Sequence, residues 1–514
     1  MMQRRRILAL VGMLLLSVSW GWSQSYVESA LTFSQSRPGG SARIQAMGGS
    51  QIALGGDYSS ALSNPAGLGM FNRSEVTLTP GLSTYSANAH YFGEDRDASR
   101  STFVVPGLSL VLNIPINSNS GFESGSFAIT MTRTNDFNRS VNYAGNANSS
   151  LLESFIQTAN GYNTNQFDPD GGDLYNSPTG LAYYNYLIGP AHLLDQSFPD
   201  NEYFTDVKPN AQNYYTPRQQ EDVQTRGITN QWSFSYGANY KDLLFFGASI
   251  GVSSLRYKNT KAYSEAFTGD EFVNGFDLQE TLNIRGTGVN ATLGAIVRPV
   301  NFLQVGISYT TPTFYQLTET YEASMSSSWK NFEYYSNKPN YGGQDNPTLN
   351  NESASTDVVT SDYSLTVPSK FSAGLAFISK YGLLTGDVEL ANYSRAKYSS
   401  NTIGVGFGDE NQGIKETYKS VVNYRGGLEL RFKIFRLRGG YGIQANPYRG
   451  DYDSSIKSVS GGVGVKLEKF HIDFAWVQSS GNNLYSPYYL NEGGPVVELE
   501  NKTTTGIVTF GFNF

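Results

Sequence analysis

Fourteen stretches of this chain alternate apolar and polar residues with a period of two, and after residue 23 no apolar run is long enough to span a membrane as a helix. They lie near 74–85, 101–116, 124–142, 223–240, 242–260, 276–299, 301–323, 355–378, 381–397, 414–432, 434–445, 454–468, 469–479 and 502–514. Connections after the even-numbered stretches are tight, at 240–242, 298–301, 379–381, 433 and 468–469. Those after the odd-numbered ones are long and rich in Asn, Ser, Gly and Asp. An even strand number with this asymmetry predicts an all-β fold, a transmembrane antiparallel β-barrel with short periplasmic turns and long extracellular loops, and both termini in the periplasm.

Composition separates this reading from a set of soluble domains. Charged residues are only 16% and aromatic residues 14% of the chain, a balance that suits strands with aromatic girdles. The mean hydropathy of -0.35 is too polar for a helical membrane protein, whereas a barrel needs apolar residues only at alternate positions. The fourth stretch sets Trp232, Phe234, Tyr236, Ala238 and Tyr240 against Gln231, Ser233, Ser235, Gly237 and Asn239. The last sets Val508, Phe510, Phe512 and Phe514 against Thr505, Thr509, Gly511 and Asn513. Lipid outside and a polar lumen inside is the simplest assignment.

Residues 1–23 read as a secretory signal: Arg4, Arg5 and Arg6, an apolar segment at 7–18, then Gly21 and Ser23 at the cleavage-determining positions. Without those three arginines, 34 basic residues face 44 acidic ones, so the net charge moves from -7 to -10. Nucleic acid is therefore not an expected partner, because its basic footprint is missing. The chain has no cysteine, so its fold holds without disulfides in an oxidising compartment, and no lipid-modified N-terminal cysteine anchors it.

Residues 24–73 precede the first strand and include the glycine-rich run 46–57, with Gly48 and Gly49, and the Asn64-Pro65-Ala66 turn. Glycine pairs permit tight folding and close approach, and Pro65 excludes the α region for Asn64. The segment reads as a plug inside the lumen, with an ordinary glycine-rich loop as the bland alternative.

Two strands break phase. In the sixth, the apolar face Val289, Ala291, Leu293, Ala295 and Val297 shifts register upstream to Leu282 and Ile284, for which a bulge across 286–288 is the expected cause. In the third, the face of Phe127, Ile129 and Met131 continues into Arg133 and Asn135. Either the strand surfaces there or the wall is kinked and open.

The insertion at 143–222 is too long to be structureless and holds two helix candidates, 149–159 and 181–194. Their apolar residues, Leu151, Leu152, Phe155 and Ile156 with Leu187 and Ile188, either pack on one another or form an external hydrophobic groove.

Little here supports catalysis. His90, His192 and His471 show no metal-ligand spacing. His471 and Asp473 share an inward face, but no nucleophile motif accompanies them, so a lipase is a remote third reading. No enzyme activity, metal or cofactor is expected. Asp387, Glu389, Arg425, Glu429, Arg431, Arg436 and Arg438 fall on inward faces of neighbouring strands and are expected to form an ion-pair ladder that holds the plug or lines a pathway.

The Asn64-Pro65-Ala66 turn in its glycine-rich surroundings, the fourteen strands and the terminal Phe514 together resemble the FadL-type outer-membrane transporters, in particular a branch found in Bacteroidetes-like bacteria. The resemblance implies a barrel closed by an N-terminal hatch, capture at an external groove, a lumen pocket, and sideways release through a kink in strand three. Asn64, Pro65 and Ala66 would then be hatch residues, and Arg133 and Asn135 would mark the lateral opening. The insertion at 143–222 departs from the pattern, since the family's groove comes from later loops. The expected function is passive transport of long-chain fatty acids or other hydrophobic small molecules, gated by residues 24–73, with release into outer-membrane lipid. The alternative is a non-transporting barrel that binds protein partners through its extracellular loops as a scaffold or shuttle in secretion. Phe514 is the expected signal for the barrel assembly machinery.

Overall fold

In the computed structural model, which describes residues 21–116, 121–207, 217–270, 272–343, 345–402 and 404–514, the alternating stretches become the wall. They are β1 (Glu75–Tyr91), β2 (Glu94–Pro115), β3 (Phe122–Asp136, resumed at Arg139–Asn146), β4 (Arg218–Tyr240), β5 (Leu244–Ala266), β6 (Val273–Val300) and β7 (Leu303–Thr310, resumed at Thr313–Glu333). There follow β8 (Thr348–Ser355, Val359–Val367 and Lys370–Ser379), β9 (Gly382–Asn392, then Lys397–Ser399), β10 (Ser420–Phe432), β11 (Phe435–Gln444), β12 (Ile456–Lys466), β13 (Phe470–Tyr485) and β14 (Val497–Asn513). Neighbours pair antiparallel, and β1 closes on β14, with Val76 opposite Phe512 and His90 opposite Glu498.

Side chains alternate as the period requires. Trp232, Phe234 and Tyr236 are exposed on the outer face of β4, while Ser233 and Ser235 are buried inside. Phe510, Phe512 and Phe514 do the same on β14. Short turns at one end include Lys241-Asp242, whose φ angles of 54° and 52° match the twist of a hairpin.

Three expectations change at the other end. The first connection is not a long loop: β1 and β2 continue as a ribbon to a two-residue turn at Phe92-Gly93, with φ of 45° and 85°. Polar cross-strand pairs such as His90–Asp95 (2.7 Å) and Asn88–Asp97 (3.0 Å) hold its outer face, while Tyr85, Ala87, Ala89 and Tyr91 alternate with them on the inner one; only the β2 arm lacks apolar alternation. Strand β6 has no register slip, for it pairs with β5 from Gly275 to Val297 without interruption. Leu282 and Ile284 simply face inward, where they meet apolar plug residues instead of lipid. The second insertion helix stops early, covering Pro178–Tyr184 rather than 181–194, since Tyr186 adopts φ 60°.

The first insertion helix, Leu151–Ala159, carries a complete capping box from Ser150 and Glu153. Leu151, Leu152, Phe155, Leu187 and Ile188 are buried together with Phe276, Met325, Trp329 and Phe332 from the tall ends of β6 and β7, and Ile156 packs at the margin. They form the core of an outer subdomain. Of the two expectations, packing and an external groove, packing is what these residues do: their apolar faces are buried on one another and on the strand ends.

The plug begins with α1 (Gly21–Ser34). Residues 1–20, most of the expected signal, lie outside the described residues. Helix α1 sits in the long-loop half of the lumen, where the Tyr418 hydroxyl donates to Val27 O (3.0 Å), whereas Phe514 N bonds Ser74 O at the short-turn end. Helix α1 and Phe514 thus lie towards opposite ends of the barrel. The chain then descends through α2 (Ala42–Ala46), α3 (Ser60–Ser63) and a 3-10 turn (Pro65–Met70) to reach β1.

Candidate functional site: a seated plug and a broken wall

Residues 41–71 are seated against the wall almost without space. The Asn64 side chain closes the turn from two sides: Oδ1 accepts from Ala66 N (3.2 Å), and Nδ2 donates to Ile52 O (2.7 Å). Asn64 itself is extended, as a residue before proline must be. Gly48 and Gly49 hold φ of 69° and 79°, and the inner wall answers with its own glycines. Gly427 and Gly440 press on Met47 and Gly48, and Gly247 on Pro65, so closely that a Cβ at any of the three would collide with the plug.

Polar bonds fix the same segment. Asp387 Oδ2 accepts from Gln51 N (2.5 Å) and Ile52 N (3.0 Å), and Gly48 N donates to Ser460 Oγ (3.0 Å). Glu429 receives Arg438 Nε (2.8 Å), Arg431 Nε (2.9 Å) and, from the plug, Arg43 Nε (3.5 Å). Arg438 also reaches Asp473 (2.5 Å), and Arg425 pairs with Glu389 (3.2 Å). Arg436 stands outside this network, donating to the carbonyls of Lys433 and Phe435 at the turn. Sequence reasoning missed Arg43 and Asp57, since a plug residue has no strand period to aim it.

His471 lies 3.8 Å from both Glu75 and Asp473. No serine hydroxyl is hydrogen-bonded to it among the described residues, and among them no group of three or more His, Asp or Glu is arranged to hold a metal.

Above this floor the plug is held differently. Tyr26 of α1 stands edge-on to Tyr363, Tyr398 and Phe407, each at 5.4 Å, and its hydroxyl donates to Glu319 (3.1 Å). Phe33 lies 5.8 Å from Phe137 and 5.4 Å from Tyr257. These rings belong to one buried apolar cluster that reaches from Tyr398 and Phe407 to Phe137, beside the interruption in β3. The apolar spacing of Val27, Ala30, Leu31 and Phe33 was the available signal for α1, masked by its position next to the signal segment.

The wall is broken beside that cluster. The β2–β3 ladder runs from Pro115↔Ser124 only to Gly107↔Thr132; beyond it β2 pairs with β1 alone. The register of β3 on β4 shifts between Arg133 and Asn135. Its outer half then folds into the lumen, so that Val141 and Tyr143 pack on Tyr85, Ala87 and Tyr91 of the β1 inner face. Asn135 is buried and donates to Thr32 O (3.1 Å) and Gln35 O (3.0 Å), while Arg133 pairs with Asp136 (3.3 Å). Plug residues 35–39 cross the inside of the break, with Arg37 N bonded to Thr134 O (3.0 Å). Arg96 to Asn142 (3.4 Å) and the Arg218–Glu94 pair bound the break above.

This is the architecture of a plugged fourteen-stranded barrel of the outer-membrane type, interrupted in its wall between β2 and β3. Its fold is the FadL-type fold: a Pseudomonas aeruginosa FadL homologue superposes with a TM-score of 0.54 at 11% identity, over 94% of this chain and all of that one. Weaker likenesses, at TM-scores of 0.48 and 0.46 and 13% identity, link it to the Pseudomonas putida toluene transporter TodX and the Ralstonia pickettii toluene transporter TbuX, each over 93% of this chain and 99% of that one. No family model matches the sequence, and no curated protein matches it.

Proposed function

We propose that the protein is a passive outer-membrane channel that takes hydrophobic small molecules from the outside and releases them sideways into the membrane. The observation that carries this reading is the break between β2 and β3, crossed on its inner side by plug residues 35–39. An apolar molecule gains nothing from an aqueous pore, and residues 41–71 lie across the lumen in close contact with its wall. A wall interrupted at the apolar belt offers it lipid directly. Long-chain fatty acids are the cargo this reading favours, because the cluster beside the break is apolar and aromatic. Gating then belongs to 24–40, because 41–71 is pinned by backbone contacts and ion pairs.

A reversible tether tests it. The Lys370 ammonium donates to Ser36 Oγ at 2.5 Å, and the chain has no cysteine of its own. Ser36→Cys with Lys370→Cys, joined by a reducible bismaleimide, is expected to abolish uptake of a fluorescent fatty acid into cells, with recovery on reduction. Undiminished uptake by the tethered barrel would refute gating by this segment. No uptake by the untethered barrel, against a cell lacking it, would refute transport.

A further inference from the structure

Three arginines border the lumen side of the unpaired stretch of β2, two of them, Arg37 and Arg139, close to each other and to Tyr85. Arg100 is the cross-strand partner of Tyr85, so both side chains lie on the inner face of the β1–β2 ribbon. Its Nε is buried and has no hydrogen-bond partner among the described residues. Arg139, where β3 resumes, holds its guanidinium 5.8 Å from the centre of the Tyr85 ring. Arg37 arrives from the plug, and burial with the adjacent Arg139 charge pulls it down to about 10.

The nearest acid, Asp136, is paired with Arg133 (3.3 Å) and also faces the Arg37 charge. Among the described residues none of the three arginines makes an ion pair of its own. The Arg139 charge beside Arg37 is offset by Asp136 only in part, and an anion bound between the arginines removes the remaining penalty.

Height identifies the anion. Leu82 and Phe103, paired across β1 and β2, are the outermost exposed apolar residues of their strands. Beyond them the outward positions are Thr84 and Ser86 on β1 and Ser101 and Ser99 on β2. Tyr85 and Arg100 lie three residues further out, about 8 Å along the normal for a tilted strand. That places Arg100, and with it Arg139 over the Tyr85 ring, in the headgroup layer, which is about 5–8 Å thick, beside the stretch of β2 that has no β3 ladder partner.

We propose that Arg37, Arg100 and Arg139 bind the phosphate headgroup of an outer-leaflet lipid whose acyl chain lies along the break in the wall. Guanidinium forks from three sides suit a phosphate, which offers more oxygens than a carboxylate. The inference needs only the barrel and its break; a protein that transports nothing would still carry the site.

Native mass spectrometry of the delipidated barrel tests it, using dioleoyl phosphatidic acid against dioleoylglycerol, which has the same tails and no phosphate. The phosphatidic acid is expected to bind about tenfold more tightly, and the triple variant Arg37→Gln, Arg100→Gln, Arg139→Gln to erase that difference. Should the triple variant not fold, Arg100→Gln alone, whose Nε bonds nothing, is expected to weaken phosphatidic acid and leave dioleoylglycerol unchanged. Equal binding by wild type and variant overturns the proposal. So does displacement of the lipid by equimolar inorganic phosphate, which marks a free-anion site, or oleate binding as tight as phosphatidic acid, which marks a carboxylate site.

Discussion

At the scale of single residues, the plug is held by a few side chains with no spare partners. Asn64 makes the bonds that a turn before Pro65 cannot make for itself, and Asn64→Ala leaves Ile52 O and Ala66 N unsatisfied in a buried floor. The expected loss is about 1–3 kcal/mol, read as faster amide exchange over residues 52–66 in the intact barrel. Glu429 receives three arginines, so Glu429→Gln strips their counter-charge and is expected to cost about 3–5 kcal/mol. A fall in the temperature of the heat-modified gel shift measures it, with Arg436→Gln as the comparison expected to change little. The cap at Asn64 and the inward charges on β9 to β11 were legible in the sequence, because a proline and a two-residue period each impose a direction. Arg43 was not, since only the folded plug brings it to Glu429.

At the scale of elements, what the period of two could reach was read correctly, and what left the membrane was not. Fourteen strands follow from residues that must face lipid. In the β1–β2 ribbon beyond Leu82 the β1 arm keeps its alternation through Tyr85, Ala87, Ala89 and Tyr91, but residues 94–102 of the β2 arm are almost wholly polar and look like a loop. Leu282 and Ile284 turn inward, to the plug instead of lipid, without a bulge. The outer subdomain depends on an element contact of this hidden kind. Lys338, between the β7 and β8 strands, is buried against Asp206 (2.7 Å) with its ammonium 3.6 Å from the centre of the Tyr334 ring. Burial lowers its affinity for the proton, and Asp206 acts against that shift. Lys338→Met leaves Asp206 buried and unpaired, and is expected to cost about 3–5 kcal/mol within the subdomain. Limited proteolysis should then cut within 147–207 while the membrane-spanning wall stays intact; an unchanged digestion pattern would mean that the pair does not hold the insertion down.

At the scale of the whole molecule, the seated plug and the break in the β2–β3 ladder are what support the proposed sideways route from the outer lumen to lipid. The irregularity at Arg133 and Asn135 coincides with the register shift of β3 on β4, and its cause is a tertiary one: the outer half of β3 packs on the inner face of β1 and leaves the hydrogen-bond ladder of β2. The measurement that tests the account most directly is photo-crosslinking of a long-chain fatty acid bearing a diazirine near its methyl end, applied to cells and mapped by peptide sequencing. Adducts are predicted at 103–106 of β2 and 133–137 of β3, flanking the break. Adducts concentrated instead at the short-turn end of the lumen, at Glu75 and Lys466, would mean that cargo passes through the floor, and the lateral route would be wrong.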